Sequence, residues 1–112
     1  MDKYKIVINQ PFMNCDRVYP IQQRKVKELV DYLESNENVN SIIIFGSSVS
    51  DRCHVGSDVD IYVELEKEEK LINKYFAFVF DLWTNFSADE YLKKEINNKG
   101  VLVYEKPKRN IA

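Results

Sequence analysis

The chain has no excess of basic charge, almost no cysteine and no long apolar run, and each absence removes a class of function. A net charge of −2 and an isoelectric point near 5.4 leave no basic face of the kind that grips nucleic acid along its backbone. Direct nucleic-acid binding is therefore not expected. A single bound nucleotide stays compatible with this balance, because a metal ion can supply the positive charge. The two cysteines, Cys15 and Cys53, are too few for a disulfide framework, and no signal-like stretch precedes them, so reduced thiols in the cytoplasm are the expectation. No segment approaches the roughly 18 consecutive apolar residues of a membrane span, and a soluble protein is expected. There is no internal repeat or low-complexity segment.

What is present suits one small domain. A chain of 112 residues, 45% hydrophobic and 12% aromatic, has material for one core, so residues 1–112 read as a single domain and a separate substrate-binding domain is expected only from another chain. Tyr4, Ile6 and Ile8 alternate as a short half-buried strand would. Pro20 opens a helix whose apolar stripe is Ile21, Val26, Leu29, Val30 and Leu33, with Lys25, Lys27, Glu28, Asp31 and Glu34 towards solvent. Ile42–Phe45 reads as a buried strand, Ser48–Cys53 as a short helix with Val49 and Cys53 inward, and Asp58–Leu65 as a second strand. Glu66–Lys70 is a solvated turn or the start of a short helix reaching Tyr75. The aromatic-rich stretch Phe76–Trp83 predicts a strand buried on both faces. Ser87 and Glu90 have the spacing of a capping box ahead of a helix to about Asn98. Gly100, in the left-handed conformation, then ends that helix, and Val101–Tyr104 is a last strand before a frayed tail from Glu105. The class is α+β, a mixed sheet flanked by helices.

The chemistry concentrates between Ile42 and Leu65. Residues i and i+2 of a strand share a face with Cα atoms roughly 6.5 Å apart, so Asp58 and Asp60 converge while Val59 and Ile61 turn to the core. Paired carboxylates repel unless a cation lies between them, and hard oxygen donors suit Mg²⁺ or Mn²⁺ rather than zinc. Asp81, a charge inside an aromatic strand, is the third candidate ligand, since its burial needs a partner. Alone the Asp pair is weak: eight Asp in this chain produce about 0.6 Asp-x-Asp pairs by chance, and a polar strand edge explains one. Its context is stronger. Gly46-Ser47 ends the apolar run, and a Gly-Ser turn at a helix start offers free amides and close approach to an anion. Ten residues separate that turn from the Asp pair. The remaining candidates have plain readings. His54 is an exposed loop residue, Cys53 a small apolar one, and Trp83 with Phe76, Phe78, Phe80 and Phe86 belongs to the core. Tyr62 shares a face with Asp60, and Trp83 shares one with Asp81.

With Phe45-Gly46-Ser47, the ten-residue spacer, Asp58-Val59-Asp60 and Asp81-Leu82, the chain resembles the nucleotidyltransferase superfamily related to DNA polymerase beta, and in particular its minimal MNT-type members, over roughly residues 42–104. The resemblance implies a nucleoside triphosphate donor such as ATP and two Mg²⁺ ions held by Asp58, Asp60 and Asp81. Asp81 would help to deprotonate the acceptor hydroxyl, and Gly46 and Ser47 would hold the triphosphate. It further implies transfer of AMP to a protein, with the chain acting as antitoxin to a HEPN-domain toxin. Two other readings stand beside it, transfer to a small molecule and a non-catalytic module that neutralises a partner by contact. One departure is plain. Many relatives carry an Arg and a Gly soon after the Gly-Ser pair, whereas Val49 and Ser50 stand here, and the nearest base, Arg52, is either the phosphate contact or a surface arginine beside Asp51.

Overall fold

The computed structural model describes residues 3–108, and every structural statement below concerns them. Four strands form one mixed sheet in the order β3-β2-β1-β4, with β1 Val39–Phe45, β2 Val59–Leu65, β3 Phe80–Thr84 and β4 Val101–Glu105. β1 lies antiparallel to both β2 and β4, and β2 is parallel to β3. Helix α1, Pro20–Leu33, covers one face and helix α2, Glu90–Lys99, packs on the other. This is the α+β arrangement expected from the sequence.

Alternation along β1 and β2 sorts residues to the two faces. Ile42, Ile44, Val59, Ile61 and Val63 are fully buried and meet Val26, Leu29, Val30 and Leu33 of α1. Phe45 and Tyr62 turn the other way and meet Ile96 and Leu92 of α2. Strand residues of both parities are apolar because each face of the central pair has a helix to cover it. On β2 the partly exposed residues are Asp60 and Glu64, on the α2 side.

Helix α1 departs from the expected stripe at its first turn. Ile21 points outward at 41% exposure, and the fully buried residues are Gln22 and Gln23. Both amides serve the backbone of neighbouring loops. Gln23 Oε1 accepts from Val7 N at 2.8 Å, and its Nε2 donates to the carbonyls of Lys5, Cys15 and Val18 at 2.9, 3.3 and 3.0 Å. Gln22 Nε2 donates to Ser48 Oγ at 3.1 Å and to Ser57 O at 3.0 Å. A buried amide is tolerated where it satisfies such groups.

Other expectations are corrected. Residues 3–8 form no strand; Gln23 takes Val7 N and Lys5 O, and Tyr4 N donates to Asp16 O at 2.6 Å. The helix after Phe45 is a 3₁₀ turn, Gly46–Val49, and ends before Cys53. Of the two readings of Glu66–Lys70 the solvated one holds: residues 66–70 are exposed and no helix forms over 66–75. The strand expected over 76–83 begins only at Phe80 and lies at the sheet edge, so it is not buried on both faces. Phe76, Phe78 and Phe80 instead form an aromatic cluster with Tyr32, with ring centroids 5.4–5.8 Å apart, while Trp83 and Phe86 stand 38% and 47% exposed. Asp89, not Ser87, caps α2, its side chain accepting from Leu92 N at 2.8 Å; Ser87 Oγ accepts from Thr84 N in the preceding turn. Gly100 is extended, at φ −74°, because β4 starts at the next residue. Glycine is required there by crowding, since a Cβ would collide with Ile43 and lie 2.5 Å from Ile96 O. Glu105 belongs to β4, and Lys106 N donates to Asn40 O at 2.8 Å; the rest of the expected frayed tail, 109–112, lies outside the described residues.

Replacing Gln23 by Ala removes the partner of several buried backbone groups at once. The variant is expected to lose about 2–4 kcal/mol of stability in urea titration and to be cleaved within residues 3–18 by protease faster than the parent.

Candidate functional site

The two strands that carry the carboxylates are in register: Asp60 is opposite Asp81 on β3 and opposite Phe45 on β1. Three neighbouring strands thus place Asp81, Asp60 and the end of β1 side by side, and Gly46 follows at once. Gly46 has φ +74°, and a Cβ there would run into the Asp60 carboxylate. Only glycine allows both the left-handed backbone and that contact. The expected grouping of Gly46 with Asp60 and Asp81 is therefore present.

Asp58 precedes β2 and is exposed, so it reaches the site from the loop rather than as a strand neighbour of Asp60. Asp81 is exposed as well. The expectation that burial would force a partner on it fails, because an edge strand leaves it in solvent. The charge under strain is Asp60, half-buried, whose carboxyl is pushed up to about 6 first by burial and then by the charges of Asp81 and Asp58. Like charges near a desolvated carboxyl hold a proton on it. Tyr62, on the same face, donates from its hydroxyl to Glu64 Oε2 at 2.5 Å, and burial together with that bond drives its phenol well above its ordinary range. It is thus a donor and no base.

Ser47 and Ser48 lie in the 3₁₀ turn, whose first amides have no partner within it. Both ends of the loop from Gly46 to Asp58 are tied to α1 through Gln22, at Ser48 and at Ser57. Arg52 is exposed on that loop, with its N donating to Ser50 Oγ at 3.2 Å, and it does not line the cavity beside Gly46 described below. His54 is exposed and its Nδ1 accepts from Gly56 N, while Cys53 is buried, both in keeping with their plain readings.

Residues 27–109 match the family described as Polymerase beta, Nucleotidyltransferase. The chain belongs to that family. Nucleotidyl transfer is accordingly its class of chemistry, with a nucleoside triphosphate as the substrate class. Among curated proteins none matches this nucleotidyltransferase chain. No helix among the described residues is long and apolar enough to cross a membrane.

Divalent metal is typical of the family. Among the described residues no three His, Cys, Asp or Glu side chains are gathered closely enough to cage an ion. The donors nevertheless suit Mg²⁺, which is commonly held by one or two carboxylates together with substrate phosphates rather than by an all-protein cage. Burial, and after it the charges of Asp81 and Asp58, lift the Asp60 carboxyl, and a cation would offset that repulsion.

Gly46→Ala is expected to cost about 1–2 kcal/mol from the left-handed backbone alone, more with displacement of Asp60, and to abolish transfer in a labelled-nucleotide assay. For Asp60 the folded pKa stands above the ordinary 3.8, so the stability linked to its proton is complete below that value and lost as pH rises through about 6. In chelator, the melting temperature should fall across that window, and Asp60→Asn should flatten the fall and melt above the parent at pH 8.

Proposed function

We propose that this chain transfers AMP from ATP to a hydroxyl of a protein, acting as the antitoxin of a HEPN-domain toxin. The observation that supports transfer is the line Asp81, Asp60, Gly46 across three adjacent strands. It sets carboxylates for metal and proton beside a backbone that an anion can approach closely. The resemblance to minimal MNT-type members supports the choice of partner, and the exposed side of β3 supports a macromolecular acceptor. Asp81 and Trp83 share a face of that edge strand, and Trp83 and Phe86 are half-exposed beside it, leaving room for a protein surface to bring its hydroxyl to Asp81.

Asp58, Asp60 and Asp81 would hold the Mg²⁺ ions, which when bound supply the charge that stabilises attacking and leaving oxygens. Asp81 takes the proton of the acceptor hydroxyl. The acceptor oxygen forms a bond to the α-phosphorus while the bond from that phosphorus to the bridging oxygen breaks, and pyrophosphate leaves. Gly46 and Ser47 present backbone amides to the phosphates. The protein's contribution is placement and charge.

With ATP labelled at the α-phosphate, Mg²⁺ and a HEPN-domain partner, label should appear on the partner and fall by about a thousandfold with Asp58→Asn or Asp60→Asn. Transfer that survives these changes would overturn the reading, and Asp58→Asn silencing the partner as well as the parent would favour neutralisation by contact instead.

A further inference from the structure

A cavity of about 530 Å³ opens on the side of Gly46 away from Asp81, towards β4. Tyr4, Arg17, Gly46, Lys99 and Val101 line it. Asp51 and Glu95 line it too, so its formal charges cancel and it does not gather anions indiscriminately. Arg17 is the lining residue with a buried polar atom left unpaired. Among the described residues it forms no ion pair, and its Nε is buried without a hydrogen bond. A buried guanidinium N–H left unpaired is costly, and such a site gains most from an anionic ligand.

Arg17 is also held in place. It ends the 3₁₀ turn Cys15–Arg17, which is anchored on two sides. Asn14, in the left-handed conformation at φ 58°, donates from Nδ2 to Leu102 O on β4 at 2.8 Å. Gln23 binds the carbonyls of Cys15 and Val18 on either side of Arg17, and Tyr19 N donates to Ser48 O at 2.8 Å. The segment that carries Arg17 is thereby bonded to the same turn that follows Gly46.

In-line displacement puts the acceptor and the leaving group on opposite sides of the α-phosphorus. With the acceptor hydroxyl at Asp81, on the β3 side, the leaving group extends past Asp60 and Gly46 towards β4. We propose that Arg17 binds the β- and γ-phosphates of the donor nucleotide, and so stabilises the departing pyrophosphate. This rests on the nucleotide-transfer reading above. Residues 27–109 carry the family match, and Arg17 lies outside them. A guanidinium fork pairs with phosphate oxygens two at a time; Arg17 lines this cavity, whereas Arg52, exposed on its loop, does not.

Titration calorimetry with Mg²⁺ on the full chain separates the possibilities. Arg17→Gln and Arg17→Met, which keep the stem, should weaken ATP and pyrophosphate binding about tenfold or more and leave AMP binding unchanged, with Arg52→Gln close to the parent. Equal ATP affinity in the parent and in both Arg17 variants overturns the role of Arg17 alone, as does an equal loss for AMP. A parent that binds neither ATP nor pyrophosphate overturns the transfer reading with it. Phenylglyoxal labelling of the unaltered chain, read by peptide mass spectrometry, needs no variant. ATP and pyrophosphate should protect Arg17 and AMP should not, and absence of that protection overturns the assignment.

Discussion

The contact between the Asp60 carboxylate and the backbone of Gly46 is the constraint on which the site depends. A charge half-buried against a backbone and beside Asp81 is unfavourable in an empty protein, and the upward shift of its carboxyl expresses that cost. The fold holds it there because Asp60 sits between two apolar residues, Val59 and Ile61, that are fully buried beneath α1. Sliding the strand by one residue to free the carboxylate would expose both. Core packing therefore enforces the electrostatic strain, of a kind that a bound cation would relieve.

Two buried glutamines extend that control to the loops. Gln22 spans the two ends of the segment between Gly46 and Asp58, and Gln23 fastens the chain that precedes α1. A single helical turn thus sets the position of the Gly46–Val49 turn and that of the Arg17 segment. Gln23 takes backbone bonds of Lys5 and Val7 that a neighbouring strand would otherwise take.

The aromatic stretch before Asp81 shows how composition misleads. Phe76, Phe78 and Phe80 have the content of a doubly covered strand, yet they pack on one another and on Tyr32 ahead of the sheet edge. The strand is left short, with Asp81 and Trp83 open to solvent.

From the sequence alone came the α+β class, helix α1, strands over 42–45 and 59–65, and the nearness of Gly46, Asp60 and Asp81. These are legible because hydrophobic periodicity and motif spacing are local. Tertiary structure alone decided which glutamines are buried, that Asp81 stands on an open edge, that Gly100 is crowded rather than left-handed, and that Arg17 lies beside Gly46 while Arg52 faces solvent. Arg17 and Gly46 are far apart in the chain, and no periodic pattern records a neighbour made by the meeting of a loop with a strand end.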